Sequence, residues 1–482
     1  MSITLALIPM SGLLLLSLIK DQLNHKNQLL IKNIALSFSL TALALSIYMW
    51  IELDNSLIGY QFLSTVNILN SYQIVTGLDH INIYFILLTN FTTPCAMLSN
   101  YYNITHNVKY YFGSLLLLQA LQVLVFLVLD IIQFYVFFES VLPVLFILIL
   151  LYGHGNNRSR SAMLLFLYTL FGSLFMLLSV IYMKNIYGST SYYSLSNTLI
   201  ELNEQKLLFL GFFIAFAIKT PLWPFTGWLF RAHADSPLGG SMILASTILK
   251  LATYGYIRVL LQFLPDASYY YSPFILTIAS ITIVYCSLST IVQQDTKALI
   301  AYSSIAHMGV VILGLFSNSI EGIAGAILLS IGHGFVSPGL FVCVGGILYD
   351  RLQTRLINYI KGVCQYMPVF CILFLSLTLF NTGIPLSLNF IGEILSLTGS
   401  WQRNPAISIL GASGIVLSAS YSIFLYNRIC YSQYSSHLKP VLDIDRREFI
   451  LLLSFILPTL ILGICPNSIL NPLMVMTSTL LY

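Results

Sequence analysis

The chain has 482 residues, of which 57% are hydrophobic and only 8% charged, with a formal net charge of +4. Soluble domains carry about a quarter charged residues, so this composition excludes a water-soluble fold and points to an all-α polytopic membrane protein. There is no phosphate-binding loop, dinucleotide fingerprint, metal-ligand cluster or basic tract for nucleic acid, and the seven cysteines form no CxxC pair.

The first apolar run, 3–19, lacks a basic leader and a small-residue cleavage site, and it reads as a retained helix. Spans at 30–51 and 80–99 follow, separated by a polar stretch at 52–79; Asp79 reads as structural. The next spans are 111–129, 131–151 and 161–183. Glu139 lies about eight residues into 131–151, roughly 12 Å deep at the helical rise. Span 207–229 is interrupted by Lys219-Thr-Pro-Leu-Trp-Pro224, because proline removes an amide donor and clashes with the preceding turn. Span 238–263 carries Lys250 and, two turns on, Arg258. Spans 271–293, 297–317 and 320–349 follow, the last two carrying His307 and His333; Asp295 and Lys297 read as an interfacial pair. The segments 363–384 and 386–402 form one span broken at Asn381-Thr-Gly-Ile-Pro385, with Glu393 on its second half. Spans 406–430 and 448–470 bring the expected total to fourteen.

Loop charges support this count. Of the 21 basic residues, 15 fall in loops after odd-numbered spans and three (Lys184, Lys206, Arg403) on the other side. The positive-inside rule then places the odd loops in the cytoplasm or mitochondrial matrix. The broken spans are each fourth in a run of five, 4–8 and 9–13, and an odd-numbered unit must re-enter from the opposite side. Two inverted five-helix repeats are therefore expected, with discontinuous helices marking a transport site. The expected divisions are 1–100 for helices 1–3, 111–263 and 271–430 for the repeats, and 431–482 for the last helix.

Ionisable groups at membrane depth are rare and usually mark an ion or proton path. Glu139, Lys219, Lys250 and Glu393 come from four separate spans. Lys219 and Lys250 lie 16 residues before and 15 after Asp235, at similar expected depth in antiparallel spans. Snorkelling to the interface is the competing reading for the lysines, and it is weakest for Lys250. For Glu393 the alternative is an acid stabilised at the start of a new helix after Pro385. His307 and His333 have Ser303, Ser304 and Ser337 nearby, and histidine titrates near neutral pH.

Three stretches resemble one family: Phe216-Ala-Ile-Lys-Thr-Pro-Leu-Trp-Pro-Phe-Thr-Gly-Trp-Leu-Phe-Arg-Ala-His-Ala-Asp-Ser-Pro237, Tyr302-Ser-Ser-Ile-Ala-His-Met-Gly309 and Gly332-His-Gly-Phe-Val-Ser-Pro-Gly-Leu-Phe341. They are similar to the antiporter-like subunits of NADH:ubiquinone oxidoreductase (complex I), over about residues 75–430. Gly392-Glu393 selects the branch with glutamate in the second broken helix, where two sister subunits have lysine. The sequence departs from the family at Phe225-Thr-Gly-Trp, where many members have histidine, and at Phe230-Arg231, often Pro-Glu. The resemblance implies a proton relay through Glu139, Lys219, Lys250, His307, His333 and Glu393. It implies no cofactor in this chain, with FMN, iron–sulfur clusters and ubiquinone in other subunits. The implied partners are other membrane-arm subunits, including the sister antiporter-like ones, and lipids, in the mitochondrial inner membrane or a bacterial inner membrane. A subunit of a multi-subunit sodium/proton antiporter shares the fold and is the alternative; four buried charges argue against a purely structural scaffold.

Overall fold

The computed structural model describes residues 2–19, 25–57, 59–69, 72–155, 157–431, 433–435 and 440–481. Lys20 and Lys439, two of the loop cations counted above, lie outside these residues. The first helices are α1 (Thr4–Leu18) and α2 (His25–Glu52). A hairpin of β1 (Gln61–Leu69) and β2 (Tyr72–Leu78) follows, then α3 (Asn82–Ser99), α4 (Val108–Leu127), α5 (Ile131–Tyr152) and α6 (Arg158–Tyr187). Next come α7 (Tyr192–Ser196), α8 (Leu202–Lys219), α9 (Leu229–Asp235), α10 (Leu238–Ile243), α11 (Leu249–Gly255), α12 (Pro265–Val292), α13 (Thr296–Leu315), α14 (Ile320–Phe341) and α15 (Tyr349–Leu352). The chain closes with α16 (Pro368–Asn381), α17 (Leu388–Arg403), α18 (Pro405–Cys430), α19 (Arg446–Ile464) and α20 (Asn467–Leu481). Among the described residues, ten helical stretches are long and apolar enough to cross a membrane.

The chain divides into two compact units. The first comprises Met1–Lys219, Asp235–Ile243 and Thr247–Tyr270; the second comprises Thr220–Ala234, Leu244–Ser246 and Tyr271–Tyr482. In the first, α4 packs against α1, α3 and α5, and α6 lies between α5 and α8. In the second, α14 is the hub, touching α13, α16, α17, α19 and α20.

Polar side chains fix where these helices begin and end. Asp130 caps α5 by accepting from the Ile132 and Gln133 amides at 2.8 and 3.2 Å. Asn404 caps α18 ahead of Pro405 in the first turn, a pairing that satisfies otherwise orphaned amides. Lys109 Nζ donates to the Ser17 and Ile19 carbonyls at the end of α1, 2.7 and 2.8 Å away, where the helix dipole favours a cation. Asp295 is the N-cap of α13, accepting from the Lys297 and Ala298 amides. Asp295 thus has a local backbone role as a helix cap at the span boundary.

Both expected interruptions are present. α8 ends at Lys219, and helix resumes as a 3-10 turn at Phe225–Trp228 leading into α9. α16 ends at Asn381 and α17 starts at Leu388, with Gly383 at φ +69° between them. The freed Phe380 carbonyl accepts from Asn389 Nδ2 at 3.1 Å across the break, as a backbone group without water requires.

Three features differ from the sequence reading. The polar stretch 52–79 contains the antiparallel hairpin, with Ser64 opposite Thr76 and Val66 opposite Ile74. The last expected span, 448–470, stops at Ile464, six residues early, and a second helix, α20, follows within the expected 431–482 division; Pro466 ends one helix and sits just before the next. The span at 238–263 is not uniformly α-helical: Leu244–Ile248 and Tyr256–Leu261 are π-helical, bracketing α11.

Candidate functional site

In the first unit, Glu139 stands on α5, Lys219 on the last residue of α8 and Lys250 on α11. Lys219 is 2% exposed. Its Nζ donates to the Phe138 carbonyl at 3.0 Å and sits 3.2 Å from the centre of the Phe138 ring. Backbone oxygen and ring face together replace the water an ammonium would otherwise hold. Phe138 is the residue before Glu139, so this bond places the ammonium beside the carboxyl.

Glu139 and Lys219 act on each other electrostatically. Glu139 is half-buried, with Ser173 of α6 and Tyr135 against it. Its Oε1 has no hydrogen-bond partner among the described residues. Lys250 is fully buried between the two π-helical segments. π-Bulges concentrate at functional sites because they open a turn of the hydrogen-bond ladder.

In the second unit, His307 Nδ1 lies 3.2 Å from Glu393 Oε1. The His307 and His333 rings are 5.7 Å apart, centre to centre. Ser304 and Ser337 share a 3.0 Å hydrogen bond beside them. All three titratable groups are at most 3% exposed.

Close helix approach creates this cluster. A Cβ on Gly392 would fall 2.6 Å from the Leu329 amide nitrogen, and one on Gly325 would fall 2.6 Å from the Ser396 amide nitrogen. Only small residues allow α14 and α17 to approach so closely, the usual device inside membranes. The other Glu393 oxygen faces the break, where a Cβ on Gly383 would clash with it at 2.4 Å.

The structure therefore brings Glu139 to Lys219 in one unit, and Glu393, His307 and His333 together in the other. The helix-start reading of Glu393 fails on geometry. Ser387 is the N-cap, accepting from the Phe390 amide at 3.3 Å, and Glu393 lies well past the first turn. Sequence reasoning missed the partner of Arg258, which is Asp79; the same carboxylate accepts from the Ile81 and Asn82 amides and so locks the hairpin to α3. It also passed over His233, fully buried and stacked on Phe341 at 4.6 Å between ring centres. That histidine was visible inside the stretch beginning at Phe216.

A family profile described as NADH:quinone oxidoreductase/Mrp antiporter, transmembrane, matches residues 129–418. The chain is 52% identical over 478 residues to NADH-ubiquinone oxidoreductase chain 4 of Mycosarcoma maydis, with 99% of each chain covered. A chain of respiratory complex I from Thermus thermophilus with bound NADH superposes with a TM-score of 0.90 at 27% identity, covering 100% of this chain and 99% of that one. A chain of the Mrp complex from Dietzia sp. DQ12-45-1b reaches a TM-score of 0.89 at 16% identity, covering 99% and 97%, a likeness of fold alone. The profile and the fold define the class as an antiporter-like membrane subunit. Its near-complete match to the curated relative goes further, and the chain belongs to the NADH-ubiquinone oxidoreductase chain 4 family.

Proposed function

We propose that this chain is a proton-translocating subunit in the membrane arm of respiratory NADH:ubiquinone oxidoreductase and performs no redox chemistry itself. The observation that carries the reading is the buried His307–Glu393 contact at 3.2 Å, with a second buried charge constellation at Lys219 and Glu139. Burying charge is costly unless it is paired or hydrogen-bonded. A carboxylate, an imidazole and an ammonium at membrane depth can each bind and release a proton without covalent change.

The fourteen-span, inverted-repeat topology belongs to the same reading. The odd-numbered loops face the matrix, and protons move from that basic side to the other. Redox-driven charge shifts in neighbouring subunits, among them the sister antiporter-like subunits, act first on the Glu139–Lys219 pair. Lys250 responds next, then His333, His307 and Glu393. Flavin, iron–sulfur clusters and quinone belong to other subunits, and the complex resides in the mitochondrial inner membrane. The sodium/proton antiporter reading draws on fold likeness at 16% identity and is the weaker one.

The test is to count protons moved per NADH oxidised by the purified complex in vesicles carrying Glu139→Gln or Glu393→Gln. Each variant is expected to assemble and to move fewer protons. Normal assembly with wild-type proton counts in both would remove the basis for the relay.

A further inference from the structure

Beside Glu393 the second unit encloses a cavity of about 10 Å³, with Glu393, His307, Ser418 and Tyr421 among its lining groups and Ile283 and Val310 closing it with apolar walls. That volume is at the lower bound for one water molecule, and a buried water needs two to four polar partners. Tyr421 lies on α18 and is 1% exposed, yet its hydroxyl has no hydrogen-bond partner among the described residues. His307 Nε2 is likewise without a partner among them. Ser418 Oγ donates to the Ile415 carbonyl at 2.8 Å, which leaves its lone pairs to accept. A buried hydroxyl left unpaired costs about 1–3 kcal/mol, and a tyrosine here could have been a phenylalanine with the same packing.

We infer that this cavity is a binding site for a single water molecule, fixed by the Tyr421 hydroxyl, and that this water takes the proton from Glu393. A phenol both donates and accepts. The step is a relay: the carboxylic acid gives its proton to the water as the water gives one of its own to His307 Nε2, which also lines the cavity, while the Tyr421 hydroxyl holds the water in place. The products are the Glu393 carboxylate and the His307 imidazolium, and water and phenol stay neutral. Tyr421 thus joins the relay from α18 as a positioning residue, a part that the sequence motifs do not contain. The inference rests on the reading of Glu393 as a relay carboxylate.

Tyr421→Phe in the intact complex removes the hydroxyl and keeps the ring. Two readouts are needed: a high-resolution map of the wild-type complex and its variant, and the number of protons moved per NADH oxidised. The wild-type map should show one ordered water within hydrogen-bond reach of Tyr421 Oη and the Glu393 carboxyl, and the Tyr421→Phe map should lose it. The variant should assemble normally and move fewer protons. Ser418→Ala, which leaves the ring untouched, should weaken the same density and covers the case in which Tyr421→Phe does not assemble. A wild-type map that resolves waters elsewhere but none here overturns the inference, as does a Tyr421→Phe complex with wild-type proton counts. If Glu393→Gln lowers pumping while Tyr421→Phe does not, the water step fails and the relay reading stands. If Glu393→Gln also pumps normally, the relay reading itself fails.

Discussion

Adding one methyl group at Gly392 should uncouple the complex although it removes nothing titratable. An ideal Cβ there lies 2.6 Å from the Leu329 amide nitrogen and 2.7 Å from its Cα and Cβ. The nearest two are backbone atoms of a buried helix, so they cannot swing aside. Reaching the 3.4 Å of ordinary contact requires about 0.8 Å of movement (3.4 − 2.6) between α14 and α17. Overpacking of this kind costs about 1–3 kcal/mol. Glu393 is the next residue. A displacement of that size taken up by α17 stretches its 3.2 Å contact with His307 past the reach of a hydrogen bond. Gly392→Ala is therefore expected to lower both the thermal stability of the complex and the protons moved per NADH. Gly113→Ala is the control, since its added Cβ meets nothing closer than 3.9 Å. A Gly392→Ala complex with wild-type stability and proton yield would refute the argument that helix packing sets the Glu393 geometry.

Other perturbations follow from the same contacts. Arg258→Met leaves Asp79 buried without its cation and should destabilise the first unit by about 3–5 kcal/mol, read as loss of assembled complex; the double change with Asp79→Asn, which removes the charge and keeps an acceptor for the Ile81 and Asn82 amides, should recover much of the loss. Asn389→Leu removes the side-chain bond to the Phe380 carbonyl at the break, which keeps its 3.2 Å bond from the Gly383 amide, and should cost about 0.5–1.5 kcal/mol in thermal unfolding. Asp130→Ala removes the cap of α5, the helix that carries Glu139, and should cost about 1 kcal/mol by the same measurement, with proton yield little changed.

The membrane class and the helix breaks were legible in the sequence because both are local. Apolar length declares a span, and Pro221, Pro224 and Pro385 mark breaks with Thr220 or Gly383 beside them, whereas Pro143 and Pro338 stand inside unbroken helices. Glu139, Lys219, Lys250 and Glu393 stood out for the same reason: a charge in an apolar run needs no partner to be noticed. What pairs with what was not legible. Asp79 and Arg258 are 179 positions apart, and His307 and Glu393 meet across α13 and α17, which approach so closely that a Cβ on Gly314 would fall 2.7 Å from Ser396 Cβ. The hairpin was hidden by its polar residues, although Val66, Ile68, Ile74 and Val75 carry strand-forming branches. Polarity in an apolar chain reads as a loop until pairing partners are known. The helix-start account of Glu393 went wrong because the cap is Ser387, which leaves Glu393 beyond the first turn, where the dipole effect has faded. π-Helical turns around Lys250 leave no local signature, since they arise from packing.

Lys219 offers the most direct test of the central claim that buried charges carry protons through this chain. Its ammonium, on the last residue of α8, is held by one carbonyl and one ring face of α5. In the Lys219→Met complex, proton uptake and NADH oxidation should be recorded together in sealed vesicles. The account predicts an assembled enzyme that moves fewer protons for each NADH oxidised; an unchanged proton count per NADH would contradict it.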